Sequence, residues 1–175
     1  MAEGKQLLLL RHGKASWQPQ FQDFDRPLTS SGEKQSRCIA DWLKQAALNP
    51  DCWLVSSAKR TLQTAEVIRL GLGQQESVQN VSGSLYLASA KHLMTTLQSV
   101  PDTAQCTILV GHNPGLSELL LRLAGAQIKQ FTLAPDVMWP ATLAVLEFEG
   151  SWKALLQQSV SLNNVLHGKL LAKAS

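Results

Sequence analysis

The feature that most constrains this chain is a repeated hand-over from a short apolar run to a polar cluster. Residues 6–10 lead into Arg11-His12-Gly13, residues 52–55 into Ser56-Ser57-Ala58-Lys59-Arg60-Thr61, and residues 107–110 into Gly111-His112-Asn113-Pro114-Gly115. Apolar runs this short and this little interrupted have the pattern of strands buried on both faces. Helical periodicity lies between them. Ser30 and Glu33 have capping-box spacing, and Cys38, Ile39, Trp42, Leu43 and Ala46 recur at helical intervals, which predicts a helix over residues 31–48. Ala58, Leu62, Ala65 and Ile68 mark a second helical face that Gly71 and Gly73 should end. Leu93, Met94 and Leu97 mark a third, and Leu116, Leu119, Leu120 and Leu123 a fourth. Residues 78–81, 142–148 and 152–160 read as further strands. Strands alternating with helices require right-handed crossovers, so the expected fold is α/β: three layers, α/β/α, with a mostly parallel sheet flanked by helices.

The chain of 175 residues shows no internal repeat and no linker-like shift in composition, so residues 1–175 are expected to form a single domain. Sixteen basic against thirteen acidic residues give a formal charge of +3, and no basic run concentrates it. Nucleic acid is therefore not the expected partner; a small anionic group is. Cys38, Cys52 and Cys106 are odd in number, sit beside apolar residues and lack metal or redox spacing. Leu7 to Leu10 is cut off by Arg11 and His12 long before a signal sequence or membrane span could form. A reducing, cytoplasmic location away from membranes is expected, with a monomer as the expected state.

Each polar cluster follows a strand, and in a parallel sheet those positions share one edge, where α/β proteins bind their ligands. Two arginines converging there suit a phosphoryl group, because guanidinium forks onto its oxygens and stays charged. Helix starts after Arg60 and Pro114 can add backbone N–H donors. A neutral imidazole can carry phosphate covalently, splitting one displacement into two. His12 beside Arg11 is the candidate nucleophile, with His112 expected to be protonated when phosphate is bound. Gly13 allows a sharp turn or a close approach to ligand.

At these residues the sequence resembles the histidine phosphatase superfamily, whose hallmarks are an Arg-His-Gly triplet after the first strand, a Ser-x-x-x-Arg-x-x-x-Thr segment and a later Gly-His. Here these are Arg11-His12-Gly13, residues 56–64 with Arg60 at the centre, and Gly111-His112. Within the superfamily the chain is similar to the SixA type of protein phosphohistidine phosphatase, in its length, in Arg-Pro-Leu-Thr-x-x-Gly at residues 26–32 and in the His-x-Pro at His112. The resemblance implies a phosphoglycerate mutase-like fold, no metal and no cofactor, with His12 as nucleophile and Arg11, Arg60 and His112 completing the phosphate pocket. It also implies a phosphohistidine-bearing partner, such as a phosphotransfer domain or phosphocarrier in signalling. Trp17-Gln18 sits where related enzymes carry a Trp-Asn pair near the phosphate, which makes Gln18 a candidate substrate contact.

One departure bears on the substrate. Larger superfamily members place Glu or Asp before a Leu-Tyr-like pair, where this chain has Ser84-Leu85-Tyr86. An alkoxide leaving group needs a proton from such an acid, whereas the nitrogen of a phosphoramidate can take one from solvent. Asp23 or Asp25 is the alternative donor. Asn113 is expected to orient His112 or touch substrate, and Asp25-Arg26 to steady its loop as a salt bridge. His92 and His167, the latter in an irregular tail, are read as structural or exposed. Trp42, Trp53, Trp139 and Trp152 are read as core or partly buried, and Lys14 and Lys59 as raising the local positive potential. The competing readings are a small-molecule phosphomonoesterase, a non-catalytic phosphate-binding module, and a metal hydrolase, the last disfavoured by arginines beside the histidines.

Overall fold

A computed structural model describes residues 4–77, 79–131 and 136–174. Six strands form one sheet: β1 (Lys5–Arg11), β2 (Cys52–Ser56), β3 (Asn80–Ser82), β4 (Cys106–Gly111), β5 (Thr142–Phe148) and β6 (Val160–His167). Their order is β3-β2-β4-β1-β5-β6. β3, β2, β4 and β1 run parallel, while β5 is antiparallel to β1 and β6 to β5. The helices are α1 (Ser30–Gln45), α2 (Lys59–Leu72), α3 (Ala90–Gln98), α4 (Gly115–Ala124) and the short C-terminal α5 (Gly168–Ala174).

Why β1 is unbroken Leu is visible in what each residue touches. Successive side chains on a strand face opposite ways. Leu7 and Leu9 enter one core with Leu93, Leu97, Leu116 and Leu120 of α3 and α4; Leu8 and Leu10 enter the other with Ile39, Leu43, Ala65 and Ile68 of α1 and α2. All four leucines are fully buried. A strand covered on both faces has no polar side to show, and a helix layer on each face makes the three-layer architecture.

The helix boundaries follow local chemistry. Thr29, not Ser30, caps α1, accepting a hydrogen bond from the Gly32 N–H at 3.1 Å; the predicted start at residue 31 and end at residue 48 both lie slightly too far along. Gly73 ends α2 in the left-handed region, at φ 71°, whereas Gly71 lies inside the helix.

The larger correction is at the C-terminal end. Residues 152–160 are not a strand: Ser151 caps a 3-10 turn over Trp152–Gln157, and the buried Trp152 indole donates to the Ala104 carbonyl at 2.9 Å. The strand begins only at Val160. His167, expected in an irregular tail, ends that strand and bonds Thr142 Oγ1 at 2.8 Å. The Asn163-Asn164 pair conceals β6 in the sequence, and a register shift between Val145 and Leu146 accommodates it. β3 starts at Asn80; Val78, where a strand was predicted to begin, lies outside the described residues.

Candidate active site

Sheet register brings the two histidines together. Arg11 of β1 pairs with Gly111 of β4, so His12 and His112 each leave the sheet at the next residue, and the His12 N–H donates to the Gly111 carbonyl at 3.2 Å. β2 lies on the other side of β4 and ends at Ser56. Arg60 and Thr64 follow one and two turns further along the same face of α2. The three polar clusters thus meet at the carboxyl ends of three adjacent parallel strands. The ring centroids of His12 and His112 are 5.2 Å apart.

The hydrogen bonds assign the tautomers. His12 Nδ1 is 2.8 Å from the Gly13 carbonyl, which can only accept, so Nδ1 carries the proton and Nε2 the lone pair. Arg60 Nε–H donates to that Nε2 at 3.2 Å. Arg60 Nη2 donates at 3.4 Å to His112 Nδ1, which leaves the His112 proton on Nε2, donated to Ser56 Oγ at 2.8 Å. One guanidinium therefore touches both imidazoles. Thr64 Oγ1 receives the Gly13 N–H at 3.0 Å and donates to the Arg60 carbonyl at 2.7 Å, tying the loop after β1 to α2. Sequence reasoning placed Ser56 and Thr64 in a motif but gave them no role; the structure makes them the residues that orient His112 and fix the His12 loop.

Arg11 reaches Met138, donating to its carbonyl at 2.7 Å, and lies 3.6 Å from the Asp136 carboxylate. Its buried Nε–H has no partner among the described residues, leaving the guanidinium a donor for an anion beside His12.

Burial sets the titration of both histidines. It pulls the His12 pKa down to about 3, with the Gly13 bond opposing and the neighbouring His112, Arg60 and Arg11 adding to the effect. His112 is drawn to about 4, first by burial and then by Arg60. Both are neutral at pH 7, and a dianion placed beside them would raise the pKa of His112. The unfolded chain, with imidazoles near 6.5, binds more protons than the folded one as pH falls. The contribution to stability is thus fully present above pH 6.5 and is lost on descending towards pH 4 and then 3. Two results are expected: His12 and His112 ring resonances keep their neutral positions from pH 8 down to about pH 5, and denaturation midpoints fall steeply below pH 6. A His12 midpoint near 6.5 in the folded protein would contradict the burial argument.

The remaining candidates are placed as follows. A Cβ on Gly13 would lie 2.8 Å from the Gly32 carbonyl oxygen, so the close approach that Gly13 permits is to the start of α1. Gln18 is exposed and bonds Ser16 and Gln20; no described hydrogen bond ties it to the cluster. Asn113 neither bonds His112 nor faces a free anion site through its amide: Nδ2 donates to Asp136 Oδ1 at 3.1 Å and to the Met138 carbonyl at 2.9 Å, bracing the segment that holds Arg11. Arg26 pairs with Asp23 at 2.9 Å, where the sequence suggested Asp25. His92 bonds Ser84 Oγ at 3.1 Å, on the surface. Trp53 and Trp152 are fully buried, Trp42 is half-buried and Trp139 is exposed.

Of the two carboxylates left open as a substitute acid, Asp23 is excluded by its partners. Its carboxylate accepts from Arg60 Nη2 at 2.9 Å and from the Tyr86 hydroxyl at 2.5 Å, and Arg60 Nη1 bonds its backbone carbonyl. Tyr86 first, then Arg26 and Arg60, hold its pKa far below the usual carboxylate range. An ionised carboxylate donates no proton. Among the described residues, the carboxylates bonded or paired to Arg11 and Arg60 are Asp23 and Asp136, both anchors for guanidinium. What remains is a neutral imidazole whose Nε2 lone pair accepts from Arg60, ringed by cationic and N–H donors: an arrangement able to accept a phosphoryl group once Arg60 turns its Nε–H to the phosphoryl oxygens.

The family is settled by comparison with known proteins. Residues 7–83 match the model of the histidine phosphatase superfamily, branch 1. An uncharacterised chloroplast protein of Arabidopsis thaliana is 31% identical over 167 residues, covering 85% of this chain and 75% of the relative. The chain belongs to the histidine phosphatase superfamily and is a phosphatase-type hydrolase of the SixA type. Solved SixA proteins superpose along nearly its whole length. That from Nakamurella multipartitia is 27% identical with a TM-score of 0.74, covering 95% of this chain and 97% of its own. That from Agrobacterium tumefaciens is 26% identical with a TM-score of 0.77, covering 94% and 99%. The phosphoglycerate mutase-like α/β architecture is shared with them. No helix among the described residues is long and apolar enough to cross a membrane.

Proposed function

We propose that this protein is a phosphohistidine phosphatase that removes phosphoryl groups from histidines of a partner protein, such as a phosphotransfer domain or phosphocarrier, through a phosphohistidine on His12. The observation that carries the reading is a neutral His12, its Nε2 lone pair facing Arg60, in a site where the Asp23 carboxylate is bound to Arg60 and cannot supply a proton. The Nε2 lone pair attacks phosphorus while the substrate P–N bond breaks. The departing imidazole takes its proton from water. Arg11, Arg60 and His112 hold the three equatorial oxygens as charge redistributes. A water molecule then attacks the phosphoryl on His12, the His12–phosphorus bond breaks, and inorganic phosphate leaves with the water's oxygen. No step calls on a metal or an organic cofactor, and a cytoplasmic, monomeric protein fits the reading.

The leaving group decides between this and a phosphomonoesterase. A P–N bond needs no enzyme acid, whereas an alkyl phosphate lacking one loses a contribution of about 10²- to 10⁴-fold. Side-by-side turnover of a phosphohistidine protein and a simple alkyl phosphomonoester should favour the former in kcat/KM by at least about 10²-fold. Higher efficiency on the alkyl ester would defeat the proposal.

A further inference from the structure

Next to the catalytic pocket lies a second feature that the chemistry above does not use. The loop after β1, the start of α1, the segment before β5 and the C-terminal α5 enclose an open groove of about 580 Å³. Trp17 and Trp139 form much of its apolar wall. Trp17 is 82% exposed and lies beneath the Arg26 guanidinium, 3.4 Å from its ring centroid. Trp139 stacks against His167 with centroids 4.9 Å apart.

Around these rings stand Lys14, Lys34, Lys169 and Lys173, all exposed. No Asp or Glu lines the groove, and none of the four lysines forms an ion pair among the described residues. With a formal charge of only +3 for the whole chain, four unpaired ammonium groups around one groove are a local concentration of charge. Neighbouring residues also tie the groove to the active site. Lys14 is two residues past His12. Trp139 follows Met138, whose carbonyl holds Arg11. Arg26, over Trp17, pairs with Asp23, which pairs with Arg60.

We propose that this groove docks an acidic, carboxylate-bearing surface of the protein that presents its phosphohistidine to His12, an inference that rests on the phosphatase reading. Charge complementarity selects the occupant. The lysines come from three separate elements, so they suit several carboxylates spread over a surface. A single phosphate prefers converging forked donors, which the adjacent arginines provide. Two solvent-facing tryptophans supply the apolar anchor area that dominates protein interfaces. A concave groove receives a protein ridge more readily than a flat lipid headgroup layer. The surrounding charge speeds encounter and makes it sensitive to salt.

The test uses the double variant Lys34→Glu/Lys173→Glu, which leaves Lys14 and the catalytic residues intact. The probe is an acidic phosphotransfer domain phosphorylated on histidine with phosphoramidate. KM for it should rise about tenfold or more and lose most of its salt dependence, because the steering charge is reversed. Its kcat, and hydrolysis of phosphoramidate itself, should be unchanged. Equal KM in variant and wild type overturns the docking surface and leaves the phosphatase reading standing. If wild type turns over neither compound, the phosphatase reading fails, and binding of a fluorescent oligoglutamate peptide decides the groove. Binding to wild type and not to the variant supports it; equal binding overturns it. Charge-dependent sedimentation with phosphatidylglycerol vesicles, without peptide binding, would make this a lipid-facing surface and also overturn it.

Discussion

Replacing His12 with alanine is expected to lower turnover of a phosphohistidine protein by about 10⁴-fold or more, the loss that follows removal of a nucleophile on which every other group acts. No neighbour can take its place. The other imidazole, His112, has its Nε2 proton committed to Ser56 and its Nδ1 facing Arg60. The variant should fold, because the His12 ring bonds the Gly13 carbonyl and the Arg60 Nε–H but is no part of either apolar core, and Arg60 keeps its Asp23 partner. Steady-state kinetics alongside circular dichroism separate lost chemistry from lost structure. A variant with ordinary turnover would mean that water attacks the substrate directly.

The second large effect is at Arg60. Replacement by lysine keeps the charge yet removes the geometry. The guanidinium at once donates from Nε to His12, from Nη2 to His112 and Asp23, and from Nη1 to the Asp23 carbonyl. A lysine ammonium, a single point donor, cannot span these partners. Loss of an oriented charged donor in a buried site costs on the order of 10²- to 10³-fold in kcat, and Arg60→Lys should lie near Arg60→Ala, with KM changing less. A lysine variant with wild-type kcat would show that charge alone suffices. Arg60 is 3% exposed, so the alanine variant also leaves the Asp23 carboxylate without its buried partner. Melting curves should record that separately.

How far the sequence alone reaches is clearest at the strand ends. Arg11, His12, Arg60 and His112 were legible because unmixed apolar runs set them at equivalent positions, and the parallel register of β1 and β4 then places Arg11 against Gly111. The apolar faces of α1 to α4 were legible for the same reason: their periodicity is imposed by the sheet they cover. β6 was not, since it is an edge strand with alternating exposure, two asparagines and a register shift, and none of these yields an apolar run. The partners of Asn113 and Asp23 stayed open in the sequence because they come from far along the chain: Met138 and Asp136 for one, Arg60 and Tyr86 for the other. Side chains whose role is to position another group leave little local signal. The missing acid, by contrast, was legible as Ser84, and the ionised state of Asp23 removes one of the two carboxylates left open in its place.

A covalent bond between His12 Nε2 and phosphorus is central to the proposed chemistry, and rapid quench with a phosphohistidine protein carrying radiolabelled phosphate tests it most directly. Label should appear on the wild-type chain within the first turnover, be lost in acid and kept in alkali, map to His12, and be absent from His12→Ala. Turnover of the substrate with no labelled chain at any time point, or label recovered on another residue, would contradict it.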